Sequence, residues 1–329
     1  LYKLIHSLQP ECMVNSRIGN GFGDFGSLGD NLLLTGRNHE CAVESPGTLN
    51  DTWGFKYDDH HWKTPEQILD QYLSLVEKDA NYLLNIGPKA DGTFPDETDR
   101  ILAKLSEWKS KNGSALAESS ASPFPATIDF AYSTIGGNKI HLFLRKKVGH
   151  AVLHGIQSKI IHANAPFRQN GEMLEMDFSR IDPEEILPRI TLEFEKRPVV
   201  DQRLCEQNGI LILSPGNGHI IHGHDEAMLP DASFSIEGKR MLVESDGALA
   251  HWHNPSDKIC WQIYFPESGT YSLMVNTIRR KKEPWAGKRI VEAELGNRKI
   301  RGELTTDCVH ERTYTNDANS ILGNFSVAA

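Results

Sequence analysis

The feature that most constrains this chain is a change of pattern near residue 120. Before it, short apolar runs alternate with helical spacing; after it, nearly every apolar run is short and strand-like. In "LYKLIHSLQP", Leu1, Leu4, Ile5 and Leu8 recur at helical spacing and Pro10 closes the segment. "CMVNSR" is expected as a short buried strand ending at Arg17. A second helix is expected in "TPEQILDQYLSLVEKDA", with Thr64 as N-cap, Pro65 at the first helical position and Gln67 completing a capping box. "NYLLNIGP" reads as a strand closed by Gly87 and Pro88. "DETDRILAKLSEWKSKNG" reads as a third helix, with Leu102, Leu105 and Trp108 in its apolar stripe and Gly113 as its stop. Strands separated by helices run parallel through crossovers, so this region is expected to be an α/β sheet or barrel.

At "SALAESSASPFPAT" the composition turns small, polar and proline-containing, which marks a domain boundary. Beyond it, "KIHLFLRK", "HAVLHGI", "EMLEMDF", "RITLEFE" and "ILILSP" are separated by Gly, Pro and Asn turns. From about residue 230, "SFSIEG", "CWQIYFPESGTYSLMVNTI" and "RIVEAELGNRKIRGEL" form another strand-rich region. Both regions read as antiparallel β-sandwiches. The expected domains are 1–118, 123–229 and 230–329, in keeping with a length of 329 residues.

Composition narrows the function classes. An apolar fraction of 39% with 24% charged residues is that of a globular protein, and no apolar run is long enough to span a bilayer. The net charge of −9 argues against nucleic acid as a partner, because phosphate neutralisation requires clustered Lys and Arg. The basic stretch from Arg279 to Arg289 reads as a solvated loop. Cys12, Cys41, Cys205, Cys260 and Cys308 lie far apart, without zinc spacing and without the look of a disulfide framework. His219, His222 and His224 read as strand-end and turn residues ahead of metal ligands. Trp252, Trp261 and Trp285 read as packing residues ahead of a sugar platform.

The strings "LYKLIHSLQPECMVNSRIGNGFGDF", "ESPGTLNDTWGFKYDDHHWKTPEQIL", "NYLLNIGPKADGTFP" and "EWKSKNG" cover nearly all of residues 1 to 118. In that order they resemble the α-L-fucosidases of glycoside hydrolase family 29. The resemblance implies a (β/α), TIM-like barrel, partial here, followed by a β-sandwich; with the second sandwich read above the fold is multidomain, and that last region resembles galactose-binding-like sandwiches through "WQIYFPESGTYSLMV". The family resemblance also implies retaining hydrolysis of terminal α-L-fucosyl residues, with a fucosylated glycan as partner and no metal or organic cofactor.

Retaining hydrolysis needs two carboxyl groups roughly 5 to 5.5 Å apart, one attacking the anomeric carbon and one protonating the leaving oxygen. In barrels such groups sit at the carboxyl ends of strands, and Glu44 falls in the segment after "CMVNSR". The resemblance makes Glu44 the general acid/base, and takes Arg17 and Trp53 as substrate-binding residues, the latter a wall against the sugar's apolar face. Asp24 and Asp30 read first as turn residues, and His60 and His61 as a solvated turn.

The chain departs from the family pattern at Val43, where Trp is common, at Phe55 for Tyr, and at Asp79–Ala80 for Gly-Gly. The last substitution costs a backbone turn if a positive φ is required there. The resemblance also places the aspartate nucleophile on a strand ahead of "LYKLIHSLQP", so the chain is expected to be a piece of a longer enzyme, inactive alone. The compartment implied is periplasmic, secreted or lysosome-like. Competing expectations are a non-catalytic carbohydrate-binding protein that keeps the barrel remnant as scaffold, and an adhesion module built on the sandwiches.

Overall fold

The computed structural model describes residues 1–36, 41–223, 241–244, 247–280, 288–311 and 315–328. They fall into two compact units, Leu1–Tyr264 and Phe265–Ala329.

The first unit begins with α1 (Tyr2–Leu8), β1 (Gly26–Ser27), β2 (Val43–Thr48), α2 (Pro65–Val76), β3 (Ala80–Asn85) and α3 (Asp96–Ala117). The strands form a parallel sheet in the order β1-β2-β3, as crossover connections require. Among the described residues this sheet does not close on itself. Side chains alternate across it. Val43 and Ala80 point to one face, where they share a core with Leu28, Leu34 and Leu75 of α2. Glu44, Asn81 and Leu83 point to the other, and Leu83 there is 53% exposed.

The capping box of α2 forms as expected. Thr64 Oγ1 accepts from Gln67 N at 3.1 Å and Gln67 Oε1 accepts from Thr64 N at 2.9 Å. Other expectations change. "CMVNSR" is not a strand: it keeps one parallel bridge, Asn15 to Phe25, and then turns into a 3-10 helix at Ser16–Ile18. Asn15 causes the turn, because its side-chain oxygen takes the Arg17 N–H at 2.7 Å and offers the backbone an alternative to the ladder. In α1 the leucine stripe faces solvent, with Leu1, Leu4 and Leu8 all exposed. The helix is held instead through Tyr2 and His6, which both reach Asp24.

Gly113 does not stop α3, which continues to Ala117. Glycine within a helix costs about 1 kcal/mol. Here Trp108 anchors the helix more strongly, packing with Leu69, Leu73, Tyr132, Phe143 and Leu187 and donating from Nε1 to the Ile186 carbonyl at 2.9 Å. Asp79, between α2 and β3, has φ of +63°. The position where glycine is usual is therefore left-handed, and a short polar side chain occupies it.

Next come β4 (Ala131–Gly136), β5 (Lys139–Leu144), β6 (His150–Leu153), β7 (Ile160–Ala163), β8 (Phe167–Asn170), β9 (Met173–Asp177) and β10 (Arg189–Phe194). They form two antiparallel sheets, β4-β5-β10-β7 and β6-β9-β8. Alternating residues of both, among them Ile140, Leu142, Leu153, Leu174, Ile190 and Leu192, fill one shared core. "ILILSP" is no strand; Ile210 makes a single bridge to Gln207 and the segment ends in a 3-10 turn at Pro215–Asn217. "SFSIEG", His224 and Trp285 lie outside the described residues, as does most of the basic stretch.

The second unit is built on a long antiparallel ribbon, Gly269–Arg280 against Thr315–Val327. A hairpin, Ile290–Leu295 against Arg298–Glu303, turns at Gly296 with φ of +58°. Among the described residues no helix is long and apolar enough to cross a membrane.

Candidate active site

Glu44 is the second residue of β2, not part of a loop after an earlier strand. Its register partners are Ser27 on β1 and Asn81 on β3. It is half-buried, on the sheet face away from α2, where Met13, Phe25, Ala42, Asn81 and Leu83 join it around an open concavity of about 370 Å³. Asn15 Nδ2 donates to Glu44 Oε1 at 2.5 Å. The Asn15 oxygen is held by the Arg17 N–H, so the amide can present only its NH₂ group to the carboxylate.

Arg17 lies in the turn just after Asn15. Its guanidinium donates to the Leu28 carbonyl and to Asp30 Oδ1, both at 2.7 Å, and to Ser27 Oγ at 3.2 Å. Ser27 is the residue opposite Glu44, so Arg17 braces the strand beside the acid while remaining half-exposed.

Trp53 sits in the loop that follows the carboxyl end of β2. Its carbonyl accepts from Asn85 Nδ2 at 2.6 Å, and the same nitrogen reaches Thr48 Oγ1 at 3.2 Å. Gly87 passes close by; a Cβ there would stand 3.0 to 3.2 Å from the backbone of Trp53, Gly54 and Phe55. The loop is locked by Asp59, whose Oδ2 accepts from Thr52 N at 3.0 Å and Thr52 Oγ1 at 2.8 Å, while Oδ1 accepts from His61 N at 3.1 Å. Burial pushes the Asp59 carboxyl upward, but these hydrogen bonds outweigh it and hold the group below its ordinary value. Burial also lowers Lys63, whose ammonium donates to the Thr48 carbonyl.

The four residue steps from Glu44 to Thr48 span roughly 13 Å of strand. The fold therefore brings Glu44 and Arg17 to one neighbourhood through Asn15, and sets the Trp53 turn toward the other end of β2. Asn15, Asn81 and Asn85 were not legible as site residues; the only trace was asparagine in the quoted "VNSR" and "NYLLN" strings.

The remaining candidates have structural work. Asp24 accepts from Tyr2 Oη and from Val14 N, the latter at 2.7 Å, and lies 3.2 Å from His6 Nε2. The Tyr2 hydroxyl, then the Val14 amide, hold its carboxyl below the ordinary range. Asp51, Asp59 and His61 gather within 4.8 Å, with His61 Nδ1 2.8 Å from Asp51 in an exposed pair. Both Asp59 oxygens are already taken by the loop, so the cluster serves as its lock. Trp261 Nε1 donates to the Ser214 carbonyl at 2.9 Å, as a packing residue does, whereas Trp252, whose Nε1 donates to the Asp257 carbonyl at 3.2 Å, is 43% exposed and does not sit in a core. His222 lies 3.8 Å from Asp257.

A parallel β/α layer that shares a core with an antiparallel two-sheet layer, with an acid on the open face of the first, is the class of architecture this chain presents. Residues 1–114 match the family model of the alpha-L-fucosidases. The chain is similar in fold to the α-L-fucosidase of Vibrio sp. strain EJY3, with a TM-score of 0.73 and 18% identity over 98% of this chain and 56% of that one. It is also similar to α-L-fucosidase isoenzyme 1 of Paenibacillus thiaminolyticus, with a TM-score of 0.54 and 24% identity over 59% and 53% of the two chains. A third is the α-L-fucosidase of Bacteroides thetaiotaomicron trapped as a covalent intermediate with 2-fluoro-fucosyl fluoride in a glutamate-to-glutamine mutant. There the TM-score is 0.52 and the identity 20%, over 59% and 51%. The chain thus spans little more than half the length of these enzymes. No curated protein sequence matches it.

Proposed function

We propose that this chain is the carboxyl-terminal part of a retaining α-L-fucosidase that removes terminal α-L-fucosyl residues from glycans. In this reading residues 1–118 are the second half of a (β/α) barrel, and 123–229 and 230–329 are β-sandwich domains. The observation that carries it is the match of residues 1–114 to the fucosidase family together with a half-buried glutamate on the open face of the parallel sheet within that segment.

Glu44 gives its proton to the glycosidic oxygen as the bond to the anomeric carbon breaks, then takes a proton from the water that hydrolyses the fucosyl intermediate. The attacking carboxylate is an aspartate supplied by the part of the barrel outside these residues. Arg17 contacts the sugar beside Glu44 through the exposed side of its guanidinium, and Trp53, at the other end of β2, offers its ring face to the part of the glycan that extends along the strand. Metal and organic cofactors have no part in this sequence of steps. The substrate class places the enzyme in the periplasm, outside the cell or in a lysosome-like compartment.

The test is to incubate the full product of the gene with 4-nitrophenyl α-L-fucoside and follow the released sugar by NMR before it mutarotates. The reading expects α-fucose as the first product. Absence of release, or β-fucose first, contradicts it.

A further inference from the structure

We propose that Asn15 is the positioning residue that decides which oxygen of Glu44 carries the catalytic proton. The inference rests on the reading of Glu44 as the general acid. A carboxylic acid has two oxygens, and only a proton on the one nearer the scissile bond is useful. Asn15 removes that ambiguity. Its Oδ1 accepts from the Arg17 N–H at 2.7 Å, which fixes the amide so that Nδ2 faces Glu44. Nδ2 carries only donors, so Glu44 Oε1, 2.5 Å away, must stay an acceptor. The proton is therefore confined to Oε2.

The chemistry balances on that oxygen. In the first step the Oε2–H bond breaks as the glycosidic oxygen takes the proton, and its bond to the anomeric carbon gives way to a bond from the attacking aspartate. In the second, water gives a proton back to Oε2 while its oxygen bonds to that carbon and the bond to the aspartate breaks, freeing the carboxylate. Oε1 accepts from Asn15 throughout. Arg17 supports the arrangement at one remove, since its guanidinium ties the same turn to Ser27, Leu28 and Asp30.

The contact is tested on the chain as it stands, by following the side-chain amide resonances of Asn15 in ¹⁵N-labelled protein across pH. They are expected to move with a single titration that disappears in Glu44→Gln. Resonances that do not respond to pH, or that titrate identically in Glu44→Gln, overturn the proposal.

The functional arm uses Asn15→Asp in the fucose-releasing protein, because that change keeps the oxygen that caps the turn and removes only the donor. On substrates with poor leaving groups kcat/KM is expected to fall by about 10- to 100-fold. The loss on activated aryl fucosides should be at least tenfold smaller, and the basic limb of the pH profile should move upward. Equal loss on both substrates with an unmoved profile would mark Asn15 as merely structural. Asn15→Ser provides a second variant of the same contact if the aspartate variant does not fold. Failure of the Glu44 reading itself shows elsewhere, as an equal loss on both substrate kinds in Glu44→Ala, whatever the Asn15 resonances do.

Discussion

Glu44 and Asn81 are register partners across β2 and β3, and their side chains leave the sheet on the face away from α2. Their neighbours Val43 and Ala80 consequently point the other way, into the core beneath Leu75. Val43 is 3% exposed, so the departure from tryptophan at this position lies behind the sheet, not in the wall of the concavity around Glu44.

Val43→Trp should therefore act on stability and leave the geometry around Glu44 in place. Overpacking of a filled core costs about 1–3 kcal/mol. Urea denaturation followed by intrinsic fluorescence measures it, and a variant as stable as the parent would show that the core beneath β2 has room to spare.

Asp79 gives a prediction of opposite sign. With φ at +63°, a β-branched residue meets the full left-handed penalty, so Asp79→Val should destabilise by about 1–2 kcal/mol. Asp79→Gly should be neutral or more stable by up to about 1 kcal/mol, because glycine adopts this conformation without strain. Thermal melting of the two variants side by side checks the ordering.

His141 introduces a pH dependence. Burial first, then the nearby Arg189 and Lys139, lower its imidazole from 6.5 to about 4, and its Nδ1 lies 3.0 Å from Thr191 Oγ1. Between those two values the unfolded chain binds the proton and the folded chain does not, so stability rises with pH across this window. The contribution is complete above about pH 6.5 and falls away toward pH 4, by roughly 2–3 kcal/mol. Urea midpoints for the parent and His141→Gln between pH 4 and 7 should differ in slope, the variant being flatter; equal slopes would contradict the assignment.

How much of this was legible in the sequence depended on how local the determinant was. The start of α2 was readable because Thr64, Pro65 and Gln67 satisfy its first turn among themselves. β2 was not, because "VESPGT" contains proline and glycine and lacks strand propensity. It is a strand because its neighbours make it one: β1 and β3 flank it, and Ser45 and Thr48 are each only 1% exposed. The end of α3 was misjudged for a similar reason, since the anchor of that helix is the contact of Trp108 with Ile186, distant in sequence. Glu44 was singled out by likeness to a family, not by its own pattern. Its partner Asn15, 29 residues earlier, became visible only once the turn at Arg17 had brought it alongside.

The central claim is that Glu44 is the proton donor, and leaving-group dependence tests it most directly. In the fucose-releasing protein, Glu44→Ala should lower kcat/KM by about 10²- to 10⁴-fold on glycans and other substrates with poor leaving groups. It should cost far less on activated aryl fucosides, and added azide should restore part of the lost turnover. An equal loss on both kinds of substrate, with no rescue by azide, would contradict the account and leave Glu44 a structural acid of the sheet.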